Sequence, residues 1–337
     1  MSLELKCIQA FQSVIDRFQF KENNLSFPEE FAIKRFQKKC QKPDPYVVSS
    51  LKQKAWDDWL AYDSALPAFE YPSGFPELWR ARLIQPRSNI HNVVSFPKGE
   101  ENNPTRGLNS IESRLCRSIW SCSDDNFEDF FSTVMSHKAL KRAFKKRYTK
   151  WYSTKDFDMT ESQSSKFMYS RLRNSGLSHI RACSRISKWK LRQICEISYG
   201  GRFSSVPKNN EVRRPIIIED ICNMIEQKKI GQHLRGELLR VYHVDLDSLQ
   251  QKHREMISCD KWATIDLKNA SDSIHTSLVK FFLSDSLFKR VMKCRSTYVM
   301  GPDGLYHTIN KISSMGNGFT FELMTWILTS VVRQLDP

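Results

Sequence analysis

Lys261-Trp-Ala-Thr-Ile-Asp-Leu-Lys-Asn-Ala-Ser-Asp-Ser-Ile274 is the stretch on which the fold of this chain turns. Trp262 to Leu267 mixes β-branched and aromatic residues, which predicts a short buried strand. Asp266 stands near its carboxyl end, where a strand can project a side chain into a crevice. Asn269, Ser271 and Asp272 follow with short polar side chains that accept bonds from first-turn amides, predicting a helix start. Ile274, Leu278, Phe281 and Phe282 then recur at helical spacing and give that helix one apolar face. Two carboxylates on either side of a strand-to-helix turn suit a metal and nucleotide platform. On its own, the pattern more often describes a strand-end Asp and a helix-capping Asp.

Two neighbouring segments tip the balance. Downstream, Ile312-Ser-Ser-Met-Gly-Asn-Gly-Phe-Thr-Phe-Glu-Leu323 is a serine-glycine loop running into an apolar helix. Upstream, Val206-Pro-Lys-Asn-Asn-Glu-Val-Arg-Arg-Pro-Ile-Ile-Ile-Glu219 is a basic turn running into a strand. In that order the three segments resemble motifs F, A and B of viral RNA-dependent RNA polymerases. The wording of Asp266 to Ile274 and of Ser313 to Leu323 resembles the replicase of levivirus-type single-stranded RNA bacteriophages, and the resemblance extends from about Lys166 to the last residue.

The resemblance implies an α+β fold of the right-hand polymerase type, with a helix-rich N-terminal part, fingers carrying basic hairpins, and a palm on an antiparallel sheet. Its expected division is 1–95 for the N-terminal helical region, 96–250 for the fingers with the motif F hairpin, and 251–337 for a partial palm. The implied reaction is template-directed transfer of a nucleoside monophosphate from an NTP to a growing RNA 3′ end. The implied cofactor is Mg2+, two ions, with Mn2+ as an alternative, and carboxylates must converge to hold them. Asp266 falls where the family places its metal-bridging catalytic carboxylate, and Asp272 where a hydrogen bond to the ribose 2′-hydroxyl is made. Lys208 and Arg214 match the family's triphosphate-binding positions; Ser314, Gly316, Asn317 and Thr320 match the floor under the nucleotide.

The match has departures. Glu211 stands where a basic residue is common, and Met324 where many polymerases carry Asn, leaving Asn317 a candidate for ribose recognition. No Gly-Asp-Asp turn occurs before Pro337, so the resemblance implies a partial chain that lacks motif C and the thumb and is inactive alone. Implied partners are RNA template and product, NTPs, the host elongation factors Tu and Ts and a ribosomal protein, in the cytoplasm of a bacterial host cell. A reverse-transcriptase-like polymerase shares the motif A logic. A non-catalytic basic RNA-binding protein is the alternative from another class, and it gives Asp266 no role.

Bulk properties agree with a phosphate-rich partner. The chain of 337 residues carries a net charge of +15, and Lys and Arg gain by displacing condensed counterions. With 40% hydrophobic and 12% aromatic residues it can bury a real core. No apolar run approaches the ~18 residues of a membrane span, and the start is no signal peptide. The nine cysteines are scattered, without zinc spacing, and read as reduced structural thiols.

Along the chain, 3–18, Glu29 to Lys42 and Pro45 to Leu66 predict helices, the last with Trp56, Trp59 and Tyr62 on one core face. Pro86 to Gly107 reads as a loop. Asp124 to Asp129 predicts a helix start with acids in its first turn. Lys138 to Lys150 and Lys166 to Arg192 are basic runs without an acid. The second, interleaved with Phe167, Tyr169 and Trp189, points to RNA or triphosphate contact. Arg213 and Arg214 are adjacent in an extended segment, so they face opposite ways and only one meets a nucleotide. Asn223 to Arg240 predicts a long helix. Cys294 to Met300 and Leu305 to Ile312 predict a hairpin around Gly301-Pro-Asp-Gly304, and Thr320 to Val332 an apolar helix under the site.

Overall fold

A computed structural model describes residues 46–70, 83–90, 94, 115, 119–257 and 269–335. The helices expected at 3–18 and Glu29 to Lys42, most of the expected loop after Pro86, and the strand bearing Asp266 lie outside the described residues. The chain divides into two compact units, Met1–Ala61 with Phe203–Ile216, and Tyr62–Arg202 with Ile217–Pro337.

In the smaller unit, helix α1 (Val48–Ser64, its last turn belonging to the larger unit) buries Trp56 and Trp59. Their rings stack at 5.5 Å, and Phe203 meets Trp56 edge-on at 4.9 Å. These aromatics are core, as their spacing predicts.

The described residues combine many helices with small sheets, an α+β composition. Strands β1 (Trp120–Ser123) and β2 (Cys195–Ser198) pair in parallel. Between them run α2 (Phe127–Ser136), α3 (Lys138–Ser153), α4 (Glu161–Asn174) and α5 (His179–Ile194). The first basic run is an amphipathic helix: α3 buries Leu140, Ala143, Phe144, Tyr148 and Tyr152 and turns its lysines outward. A 3-10 turn, Asp124–Asn126, leads into α2, whose first turn carries Glu128 and Asp129 where they complement the helix dipole.

A second sheet has the order β4-β3-β5-β6, from β3 (Gly201–Pro207), β4 (Arg213–Ile218), β5 (Tyr298–Met300) and β6 (Tyr306–Thr308). The sheet is mixed: β5 and β6 are antiparallel while β3 and β5 are parallel. The β5–β6 turn sits at Gly301–Gly304, as predicted, with Gly304 at φ 77°. The preceding segment differs. Cys294 ends helix α9 (Asp285–Cys294) instead of opening a strand, because Ser284 caps the first turn and Leu287, Val291 and Cys294 lie on one buried helical face.

Helix α6 (Ile221–Tyr242) is the hub of the larger unit. Its Ile230, Leu234, Leu238 and Tyr242 pack with Phe319, Leu323, Trp326 and Ile327 of the segment that forms α10 (Thr320–Leu335). Trp326 is fully buried, and truncating such a residue costs about 3–5 kcal/mol. Nearer its amino end, the same face of α6 carries buried polar groups that tie loops to it. Asn223 Oδ1 accepts from Ser123 N and Asn126 Nδ2, and Gln227 Nε2 donates to Cys294 O at 2.8 Å. The remaining helices are α7 (Leu249–Ile257) and α8 (Thr276–Phe282). Among the described residues no helix is long and apolar enough to cross a membrane, and the described cysteines are free thiols.

Candidate nucleotide and RNA site

The basic turn is a tight loop held by Asn209, whose Oδ1 accepts from Glu211 N at 2.9 Å and Val212 N at 2.7 Å. Lys208 N returns to Val212 O, so Lys208 and Arg214 sit on the two arms of one hairpin in the smaller unit, both exposed. Arg213 is committed elsewhere: its guanidinium donates to Ser205 Oγ at 2.8 Å and Ser205 O at 2.6 Å. The period-2 expectation holds, and Arg214 is the arginine left on the open side.

In the larger unit, Ser313 to Thr320 folds into a closed circuit. Asn317 Oδ1 accepts from Ser314 N at 2.8 Å; Thr320 Oγ1 donates to Ser314 O and Asn317 O, tying the loop to the start of α10. Asn317 Nδ2 donates to Glu219 Oε1 at 2.8 Å, and Ser296 Oγ to Glu219 Oε2 at 2.7 Å. Both ends of the Asn317 amide are therefore engaged in holding the loop. Gly316 has φ 116°, and a Cβ there would stand 2.2 Å from Ile217 O. Gly318 N donates to Gln227 Oε1, and its missing Cβ lets the loop touch the α6 backbone. Ser314 Oγ is buried without a hydrogen-bond partner among the described residues. Burial pushes Glu219 up to about 7, with Asp220 adding to the rise and the Ser296, Asn317 and Gln227 bonds opposing it.

Asp272 ends a 3-10 turn, Ala270–Asp272, that packs against α10. The helix expected to start here begins later, at Thr276. Asn269 is left-handed (φ 55°), Ile274 is drawn into an extended pairing in which Ile312 N donates to Ile274 O, and His275 Nδ1 caps α8 by accepting from Ser277 N. This pairing places Asp272 beside Lys311. The ammonium of Lys311, a fully buried residue, lies 3.2 Å from Asp272 Oδ1 and 4.0 Å from Asp63 Oδ1. Burial pushes Lys311 below the ordinary lysine range, opposed by Asp272 and Asp63. Nearby, buried Arg295 donates to Ile309 O, and its Nε and Nη1 have no partner among the described residues. Burial lowers it to about 10, against the pull of Asp63 and Glu219.

The second basic run forms the α4–α5 hairpin. A capping box at Thr160 and Gln163 starts α4, yet α4 fully buries none of its residues. Between the helices runs an open groove of about 520 Å³, floored by Phe167, Leu172, Ile186 and Trp189 and edged by Arg171 and Arg185. Phe167 and Trp189 remain 52% and 39% exposed, enough to offer ring faces to a ligand. Lys188, Lys190 and Arg192 are paired with Glu128, Glu161 and Asp124. Arg171 and Arg185 form no ion pair among the described residues, although Arg171 lies over the Phe167 ring at 5.8 Å.

A family model described as "RNA replicase, beta-chain" matches residues 147–336, more than half of the chain. The chain belongs to the RNA replicase beta-chain family. It is 41% identical over 145 residues to the RNA-directed RNA polymerase subunit beta of Qbeta virus (strain MX1), covering 42% of this chain and 25% of that protein. It is 35% identical over 158 residues to the same subunit of Enterobacteria phage SP, covering 46% and 27%. The RNA-directed RNA polymerase beta chain of Escherichia phage MS2 is 39% identical over 137 residues, covering 40% and 25%. The matched stretch spans about a quarter of the length of these relatives.

The family match takes in the groove, the hairpin, Asp266, Asp272 and the Ser313 to Thr320 loop. The structure brings Asp272 and the loop together in the larger unit and puts Lys208 and Arg214 in the smaller one. Asp266 lies outside the described residues. Among those described, no three His, Cys, Asp or Glu side chains come together as a metal site. Lys311, Asp63 and Glu219 are the site residues that sequence reasoning missed. An enclosed Lys or Glu has no pattern of its own: the meeting of Ile274 and Ile312 brings Lys311 to Asp272, and bonds from Ser296 and Asn317 bring Glu219 to the loop.

Proposed function

We propose that this chain is the fingers and part of the palm of an RNA-directed RNA polymerase of the right-hand type, which extends RNA on an RNA template. The observation that carries this is the Ser313 to Thr320 loop, locked onto α6 and β4 with Asp272 beside it, in a chain whose motifs stand in the F, A, B order. On this reading 1–95 is an N-terminal helical region, 96–250 the fingers and 251–337 part of the palm. Lys208 and Arg214 neutralise the triphosphate of the incoming NTP with charge-assisted bonds. Asp272 accepts from the ribose 2′-hydroxyl, and Ser314, Gly316, Asn317 and Thr320 shape the floor beneath the nucleotide. The α4–α5 groove steers single-stranded RNA by base stacking on Phe167 and Trp189 with phosphates on Arg171 and Arg185.

Asp266 would hold the divalent metal, two Mg2+ ions with Mn2+ as a substitute, which align the 3′ hydroxyl and stabilise the leaving pyrophosphate. Host elongation factors Tu and Ts and a ribosomal protein are proposed as partners, and the cytoplasm of a bacterial host as the place of action. The test is incorporation of labelled nucleotide by the replicase that contains this sequence, on a defined RNA template. Products complementary to the template and built from ribonucleotides support the proposal. Products built from deoxynucleotides would support the reverse-transcriptase alternative; tight RNA binding without incorporation would support a non-catalytic RNA-binding protein.

A further inference from the structure

Lys311 is a costly residue for the place it occupies. Removing an ammonium from water costs several kcal/mol even after the protein relaxes, and Lys311 is wholly enclosed. A methionine of similar length would fill the same space without that penalty. The neighbouring Asp63 does not require the cation to be satisfied, because its carboxylate already accepts from Asn310 N at 2.8 Å and Lys311 N at 2.9 Å. Asp63 thus pins the backbone on which Lys311 stands, and the ammonium lies closer to Asp272 Oδ1 than to Asp63. The Asp272 side chain retains 16% exposure while Lys311 has none, so the cation grips the carboxylate from the protein side. The pairing of Ile274 with Ile312 fixes the two chain segments in this register.

We propose that Lys311 is a positioning residue for ribose selection: its buried ammonium fixes the orientation of the Asp272 carboxylate so that it meets a 2′-hydroxyl as a preset acceptor. The inference rests on the ribose-contacting role proposed for Asp272. It places the cause of ribonucleotide preference one residue deeper than the sequence motif. Asp63 supplies the rigid anchor by gripping the backbone amides of Asn310 and Lys311.

The test is single-nucleotide incorporation by the replicase containing this sequence, with KM measured for ATP and 2′-deoxyATP. Lys311→Met is expected to raise KM for ATP roughly tenfold, the worth of one hydrogen bond to a charged group. KM for 2′-deoxyATP should stay unchanged, since that substrate offers no 2′-hydroxyl. Lys311→Met raising both values equally, or neither, overturns the proposal. Asp272→Asn separates the two layers: if it leaves the ATP to 2′-deoxyATP ratio unaltered, the ribose role itself fails. If Asp272→Asn raises the ratio of the two KM values and Lys311→Met does not, only the positioning role fails. Urea melts of the chain supply a readout without catalysis. Lys311→Met and Asp272→Asn should be non-additive in stability, and additivity would overturn the contact on which the proposal stands.

Discussion

Asn317 Nδ2 donates to Glu219 Oε1 at 2.8 Å, a bond that joins the glycine loop before α10 to the end of the strand that leaves the basic hairpin. Burial raises the Glu219 carboxyl from 4.5 to about 7, with Asp220 adding to the rise and the bonds from Ser296, Asn317 and Gln227 opposing it. A group whose acidity is weakened by folding favours the folded state at low pH. That contribution is complete below pH 4.5 and is lost as pH rises through about 7. One pH unit is about 1.4 kcal/mol, so the full effect is on the order of 3 kcal/mol. Glu219→Gln removes the titration. The stability difference between the variant and the natural chain, from urea melts, should therefore move in the variant's favour between pH 5 and pH 8. A difference that stays flat would show that Glu219 titrates normally.

Gly316→Ala should destabilise the chain by more than the about 1–3 kcal/mol of ordinary backbone strain, because the added Cβ also collides with Ile217 O. Gly176 is the matched control. It too has positive φ (86°), but nothing lies within 4 Å of its would-be Cβ, so Gly176→Ala should cost only the strain. Urea midpoints of the two variants check the order, and equal losses would mean that the loop is not seated on Ile217.

Arg213 and Arg214 should separate cleanly. Arg213→Ala removes two bonds to Ser205 and should lower stability by roughly 1–3 kcal/mol. Arg214→Ala should leave the melt unchanged and raise KM for NTP by about tenfold or more, as loss of a charge-assisted phosphate contact requires. If Arg214→Ala instead lowers RNA affinity alone, with a shallower salt dependence, the hairpin is a template contact.

The legible part of this structure is the part written in periodicity or turn chemistry. Trp56 and Trp59 announce a buried helical face, Gly301 to Gly304 a hairpin, and Thr320 onward an apolar helix. Misreadings arise where local signals compete. Asn269, Ser271 and Asp272 look like a helix cap, but pairing of Ile274 with Ile312 pulls the chain extended and delays the helix to Thr276. Leu287, Val291 and Cys294 extend a helix over residues whose composition also suits a strand. Buried polar residues were illegible. Gln227 on α6 looks in sequence like a solvent-facing helix residue, yet it holds both Gly318 N and Cys294 O.

The groove should bind single-stranded RNA through its rings. Phe167→Ala and Trp189→Ala should each weaken a short oligonucleotide by the about 1–3 kcal/mol of a stacked base while keeping the salt slope. Arg171→Ala and Arg185→Ala should reduce that slope. Fluorescence titration across a salt series distinguishes the two effects, and unchanged affinity in all four variants would remove the groove from the RNA path.

The central claim is that Asp266 is the catalytic metal carboxylate of an RNA polymerase, and Asp266→Asn tests it most directly. Template-directed RNA synthesis should be measured with the natural and variant proteins, alongside RNA affinity. The neutral amide should lower the rate by several orders of magnitude, as loss of a metal-binding charge at a two-metal centre requires, and leave RNA affinity near that of the natural chain. Synthesis within about tenfold of the natural rate, a loss of less than about 1.4 kcal/mol in barrier terms, would contradict it.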